Sequence, residues 1–467
     1  MTMNCSAAKV ALSHLDIEQS EKAVKAKSRD FFWYSPVLKS RLDHVKADFV
    51  VTPKSELEII EVLKVCYQHN VPVTTRGAGT GNYGQAIPLE GGCIMHLIGM
   101  HNVKEVYPGR VICEPGVLLK DLDAHCIRHS QQEIRMFSST WATATIGGFI
   151  AGGSGGVGSC TWGSLRDLGN IIRLRVITME EIPRVIEFRG EELARVSHGY
   201  GTNGIISEIE IPLAPAYDWT EMFIAFDEFE PAMDFAENIS NEDGILIKLA
   251  TVFEAPISYD YFQRVKPYVN EGTHLVALIV APHSMDGFDT FIGRRPEARV
   301  IYRSDDNNWE RNPGRVFEYG WNHTTLRALK VDPSITYLQV RYGYPEHCQL
   351  VNKMRNEFYP EVLQHLETIR ENGKIWFAGL SLVKFTTEER LNEIIQIHED
   401  AGAIVFNPHR YTLEEGGRQT IDDRQLQFKK EADPKGLLNP GKMISWDDPS
   451  WDYSRMYDYP KLQRVSS

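Results

Sequence analysis

The run TIGGFIAGGSGGVG at residues 145–158 decides how this chain is read: it holds seven glycines, with Ala151 and Ser154 among them, and no apolar core can be built from it. Glycine costs about 1 kcal/mol per residue against alanine inside regular structure, so a fold keeps this many only where backbone must lie against something flat and close. A flexible linker is the plainer reading. Ile146, Phe149, Ile150 and Val157 weigh against it, because they punctuate the run with side chains of the buried type.

A second glycine-rich segment lies upstream. RGAGTGNYG at 76–84 follows an apolar, strand-like stretch at 71–75 and places four glycines between Gly77 and Gly84. Backbone N–H groups supply many donors to a diphosphate without bulk, and glycine lets the chain come within reach. Thr80 and Asn82 add side-chain donors, and Arg76 adds charge. A tight surface turn is the alternative. GTGNYG at 79–84 also fits GxGxxG, yet QAIPLEGG follows, and Pro88, Gly91 and Gly92 forbid the helix that a Rossmann fingerprint must open. GLLNPGK at 436–442 has the spacing of a phosphate-binding Walker loop but ends in Met443 instead of Ser or Thr.

The 467-residue length predicts two or three domains, and 42% hydrophobic with 24% charged residues is the composition of a folded globular protein. A net charge of −13 with no basic block argues against nucleic acid. No window is long and apolar enough for a membrane span, and Lys9, His14 and Asp16 interrupt the only apolar stretch near the start, so a cytoplasmic protein without a secretory signal is expected. Seven scattered cysteines with no C-x-x-C pair predict reduced, mostly buried thiols.

Along the chain, residues 1–46 read as a helical lead-in. Ser55 and Glu58 form a capping box for a helix whose Leu57, Ile60, Leu63 and Tyr67 fall on one face. Short strands and a helix near 118–129 follow, and Pro212 and Pro215 mark a boundary. From 217 to about 405 strands (221–226, 273–281, 335–340, 374–377) alternate with helices (231–239, 345–358, 388–401), the pattern of a second, α+β unit. The chain closes on an aromatic tail with Trp446, Trp451, Tyr453, Tyr457 and Tyr459.

The ordered set RGAGTG (76–81), EPGV (114–117), TIGGFIAGGSGG (145–156), TWG (161–163), GYGTNGII (199–206) and LNPGKM (438–443) resembles the FAD-linked oxidases of the vanillyl alcohol oxidase and p-cresol methylhydroxylase (PCMH) family, and within it the branch of bacterial glycolate oxidase and D-lactate dehydrogenase. The likeness is strong over 47–215 and good over 430–443. It implies an α+β fold: a helical lead-in (1–46), a two-part PCMH-type FAD-binding domain (47–215), a cap or substrate domain with an antiparallel sheet (216–429) and a C-terminal segment returning to the flavin (430–467).

By the same resemblance, Arg76, Gly77, Ala78, Gly79, Thr80, Gly81 and Asn82 form the pyrophosphate loop, and Pro115, Gly116 and Val117 a turn packing on the cofactor. Thr145, Gly147, Gly148, Gly152, Gly153, Ser154 and Gly155 line the pyrophosphate and isoalloxazine. Gly204 and Ile206 contact adenosine, and Asn439 with Lys442 return to the flavin. Members with covalent flavin often carry a histidine in the first loop. Asn82 and Tyr83 stand there, and Cys160 does not match the cysteine linkage, so non-covalent FAD is expected.

The activity implied is oxidation of an alcohol or 2-hydroxy acid by hydride transfer to flavin, with dioxygen or another acceptor closing the cycle. The histidine-rich metal element of many hydroxy-acid relatives has no counterpart, so no metal is expected. In FNPHRY (406–411) His409 is the candidate base and Arg410 a candidate anion contact; His323 and Arg341 are candidate lining residues. Each is also readable as an ordinary interior polar group. The alternatives are a flavoprotein subunit of a larger complex, and a flavin enzyme of another reaction class such as a reductase or ether-lipid synthase. Substrate, acceptor and oligomeric state, with a homodimer as one option, stay open.

Overall fold

The structure is a computed structural model that describes residues 3–306, 312–418 and 422–451. Tyr453, Tyr457 and Tyr459 of the aromatic tail lie outside the described residues.

A small sheet carries the first glycine loop. Its strands run in the order Ile17–Glu18, Phe49–Val51, Cys93–His96, Val73–Arg76, with the last three parallel. Parallel neighbours need a crossover, supplied by the helix Glu56–Gln68. Ser55 caps it, accepting from the Glu58 N–H at 3.2 Å, while the Glu58 carboxylate reaches back to the N–H of Lys54 instead of Ser55. Its packed face is Ile59, Val62, Leu63 and Cys66. The face read from the sequence was rotated, since Leu57 is 77% exposed; both sets have helical spacing, and only the position of the sheet chooses between them.

The second sheet is antiparallel, ordered Val103–Tyr107, Arg110–Cys113, Ile205–Pro215, Arg173–Ile177, Val185–Arg189, and the far end of its long strand also pairs with Gln132–Ile134. That strand ends at Pro215, and the next, Thr220–Phe226, belongs to a different sheet.

The third sheet has eight strands, in the order Arg299–Arg303, Thr220–Phe226, His274–Val280, Ile247–Phe253, His365–Glu371, Lys374–Gly379, Val340–Tyr342, Ile404–Val405, and all are antiparallel. Every residue of its three strands Thr220–Phe226, Ile247–Phe253 and His274–Val280 is buried. With both faces covered, Met222–Phe226 and Leu275–Val280 are apolar at successive positions instead of alternating, while Lys248 and Thr251 interrupt the run in Ile247–Phe253. The single strand expected over 335–340 is two: Ile335–Tyr337 pairs with Leu382–Lys384 in a three-stranded sheet, and Val340–Tyr342 joins the large one.

One apolar cluster joins the halves, running from Val111 and Leu174 through Phe137 and Phe317 to Leu249 and Leu275. Among the described residues no helix is long and apolar enough to cross a membrane.

Candidate active site

Both glycine runs open on one cavity whose empty space, open solvent at its mouth included, is about 1560 Å³. Gly77, Ala78, Gly79, Thr80, Gly81 and Asn82 line one side. Pro115, Thr145, Gly147, Gly148, Gly152, Gly153, Ser154, Gly155, Gly204 and Ile206 also face it. Trp321, Asn322 and Gln339 from the large-sheet half also line it, as do Phe31 and Tyr34 from the N-terminal segment, with the Phe31 N–H donating to Gly81 O at 2.7 Å.

The second run is not the bare loop its composition implies. Ile146–Gly152 is a short helix, capped by Thr145 Oγ1 accepting from the Gly148 N–H at 3.2 Å. A cap and tertiary packing have overridden poor helix propensity. The glycines here serve close approach as much as open amides: a Cβ on Gly147 would meet Pro115 Cβ at 2.5 Å.

Five residues expected at the cofactor stand outside the lining. Gly116 and Val117 lie behind Pro115, where the Gly116 N–H donates to Met100 O at 2.7 Å. Arg76 is a brace: its guanidinium fills the space beneath Gly79 and donates to Ala78 O at 3.2 Å and to Arg29 O. Asn439 ties two walls together, its Nδ2 donating to Gln85 O at 2.8 Å and Tyr200 O at 2.7 Å. Lys442, fully buried, donates to Gly84 O at 2.7 Å. Burial pushes Lys442 down to about 7 against the opposing pull of Asp30, and burial pushes Asp30 up to about 6. Asp30 accepts from the N–H groups of Phe32 (2.9 Å) and Ala86 (3.3 Å) and is the one charged side chain facing the cavity among the described residues.

None of the four candidate catalytic residues reaches the lining. His409 is 3% exposed with both ring nitrogens engaged, Nδ1 to Ser35 Oγ at 2.7 Å and Nε2 to Tyr337 O at 2.9 Å, and burial pushes it down to about 3. That is a packed brace, with no nitrogen free to take a substrate proton. Arg410 sits 3.9 Å from Glu388 and 3.8 Å from Glu415. Arg341 pairs with Glu371 and lies over Trp376. His323 is the second residue of the helix Asn322–Leu329, where burial and Arg327 push it down to about 4.

Its two predecessors face the cavity instead. Trp321 holds φ +51°, its N–H donating to Glu367 Oε1 at 2.5 Å, while Glu367 Oε2 accepts from Thr251 at 2.5 Å. A bulky residue at positive φ persists only where its surroundings fix it, and such positions cluster at functional sites. Gln339 donates to Asn322 Oδ1 at 3.4 Å. The candidate lining residue His323 stands outside the cavity, while its neighbours Trp321 and Asn322 line it. Asp30, Phe31 and Tyr34 lie in the segment read only as a helical lead-in, and nothing in the sequence singled them out. Cys160 is buried, its Sγ beside Thr161, and no His or Cys of the described residues lines the cavity.

This fold and cavity define an FAD-linked oxidoreductase of PCMH type. Residues 47–181 match the family described as "FAD binding domain". A D-lactate dehydrogenase of Archaeoglobus fulgidus is 31% identical over 427 residues, 85% of this chain and 91% of that one, and the chain belongs to the family of FAD-linked oxidoreductases that contains it. The mitochondrial cytochrome-type D-lactate dehydrogenase of Arabidopsis thaliana is 26% identical over 85% of this chain and 73% of its own. Glycolate oxidase subunit GlcD of Bacillus subtilis is 29% identical over 39% of this chain and 40% of its own. Among solved structures, an alkyldihydroxyacetonephosphate synthase shares the fold at a TM-score of 0.68, covering 91% of this chain and 82% of its own at 14% identity.

FAD is the cofactor of this family, and the residues present fit it. Thr75 Oγ1, Asn82 Nδ2 and Trp321 Nε1 are buried polar atoms with no partner, on residues that all line the cavity. Buried polar groups go unpaired rarely, and three on one cavity call for a polar ligand.

Proposed function

We propose that the chain oxidises an alcohol or a 2-hydroxy acid using FAD held non-covalently in this cavity, with dioxygen or another acceptor taking the electrons onward. The observation that carries the reading is the meeting of both glycine runs with Trp321, Asn322 and Gln339 around one space. Bound FAD supplies the hydride acceptor. Residues 47–215 with 430–443 form the cofactor-holding part, and 216–429 the cap.

Each part of the chain has a task in this reading. The amides of 77–82 and 147–155 hold the dinucleotide, while Arg76, Asn439 and Lys442 keep those walls in place from behind. Asn322 and Gln339 orient the substrate hydroxyl. Burial holds the Tyr34 phenol well above its ordinary range, so it stays protonated and serves as a hydrogen-bond donor. Trp321, Phe31 and Phe149 exclude water from the reacting carbon. The names of the D-lactate dehydrogenase and glycolate oxidase relatives support a small CH–OH substrate.

The test is anaerobic titration of the purified holoenzyme with a panel of alcohols and 2-hydroxy acids, following bleaching of the flavin spectrum. Full reduction by at least one member is expected. Failure of every member to reduce the flavin contradicts the substrate class while leaving the cofactor assignment intact.

A further inference from the structure

Outside the cavity, three donors of different chemistry converge between two helices that flank the large sheet. Glu237 lies on the helix Phe229–Asn241, and His347 and Cys348 open the helix His347–Phe358. His347 Nε2 stands 2.9 Å from Glu237 Oε1, and Cys348 Sγ stands 3.3 Å from Glu237 Oε2. One oxygen, one nitrogen and one sulfur all lie within 4.8 Å of one another. Donors sharing a tetrahedral zinc at bond lengths of 2.0–2.3 Å are separated by roughly 3.3–3.7 Å, so sub-ångström side-chain movement closes the set.

We propose that Glu237, His347 and Cys348 bind a thiophilic divalent cation of the zinc type. A hard cation such as magnesium or calcium prefers oxygen ligands throughout, and an imidazole with a thiolate selects a borderline or soft metal. His347 is only 3% exposed, and its Nδ1 is buried without a partner, so Nε2 is the sole polar anchor of the ring and points at the shared centre. Glu237 and Cys348 are half-buried, which leaves a route in from solvent. Asp234 and Glu230 lie one and two turns before Glu237 on the same face; Asp234 is exposed, and Glu230 accepts from Asn352 of the second helix at 2.8 Å. Neither has a Lys or Arg partner among the described residues, so the acidic face attracts a cation, and water completes the fourth position.

Coordination forms an S–metal bond at Cys348 and breaks its S–H bond, the proton passing to solvent; no electrons are transferred. The ion would clip positions 110 residues apart, bracing the two helices against each other and closing a long loop of chain. None of the three residues lines the flavin cavity, so the site serves the cap and not the redox step.

The test loads the holoenzyme with zinc, removes excess by dialysis, and reads metal content by elemental analysis and cysteine alkylation by mass spectrometry. About one zinc ion per chain is expected. Cys348 should alkylate at least about tenfold more slowly with zinc than without, because the coordinated thiolate is shielded, while Cys5, comparably exposed, serves as the unprotected control. Cys348→Ser and, independently, Glu237→Gln should lose the bound metal while keeping FAD. The proposal is overturned if zinc is not retained, if both variants retain it like the wild type, or if zinc leaves the Cys348 rate unchanged.

Discussion

Gly155 and Trp321 meet where the glycine run closes on the large-sheet half of the molecule: a Cβ built on Gly155 would lie 2.9 Å from Cη2 of the indole. The glycine therefore sets where Trp321 stands in the cavity, and through it the spacing between the two walls.

Gly155→Val should displace the indole while leaving the first loop untouched. FAD should still bind through the intact first loop, with some loss because Gly155 itself lines the cavity, and reduction of the flavin that is bound should slow by about tenfold to a hundredfold, the cost of misplacing a reacting group by about an ångström. Anaerobic stopped-flow absorbance together with the flavin-to-protein ratio checks both halves.

Gly79→Ala should act on cofactor retention instead. Gly79 has φ +72°, and its Cβ would fall 2.1 Å from Arg76 Nη2. The left-handed conformation alone costs an L-residue about 1–2 kcal/mol, and the buried guanidinium has little room to retreat. The variant should purify with most of its FAD missing and bind added FAD at least about tenfold more weakly; flavin fluorescence titration measures it.

Asp433→Asn should be severely destabilising. Lys429 Nζ, 2% exposed, donates to Asp433 Oδ2 at 2.6 Å, and the same carboxylate accepts from the N–H groups of Leu437 and Leu438, which lead into the tail carrying Asn439 and Lys442. Breaking a buried pair leaves an uncompensated charge and costs about 3–5 kcal/mol. The denaturation midpoint should fall sharply, and the double variant Asp433→Asn with Lys429→Met should recover part of the loss.

His409 gives a pH signature. Its native value of about 3 lies below the ordinary 6.5, so between these values the unfolded chain binds more protons than the native one. This group's contribution to stability is complete above about pH 6.5 and is lost as pH falls toward 3, by up to about 1.4 kcal/mol per unit. Thermal midpoints of wild type and His409→Asn, compared from pH 7 to 4.5, should show a shallower acid loss in the variant. Equal slopes would mean that His409 is not buried neutral.

The gathering of 77–82 with 145–155 around one space was legible because glycine density is a local signal with one dominant physical use. What the sequence hid was tertiary. The helix Ile146–Gly152 runs against the propensity of its own glycines, and packing beside Pro115 makes it possible. Asp30 and Tyr34 reach the cavity from a segment some forty residues before the first loop, and nothing local marks them. His409 and Arg341 were plausible by residue type, but a polar side chain near a site serves equally well as a brace, and only the observed partners decide. Asn439 and Lys442 were expected to return to the flavin; they stand outside the cavity lining and donate instead to the carbonyls of Gln85, Tyr200 and Gly84.

The most direct measurement is the flavin released when purified holoenzyme is denatured with acid. The protein should be yellow and should leave about one FAD per chain in the supernatant and none on the precipitate, as expected for a dinucleotide held by amides and packing alone. A correctly folded preparation that stays colourless in excess FAD would contradict this, as would flavin that remains on the precipitated chain.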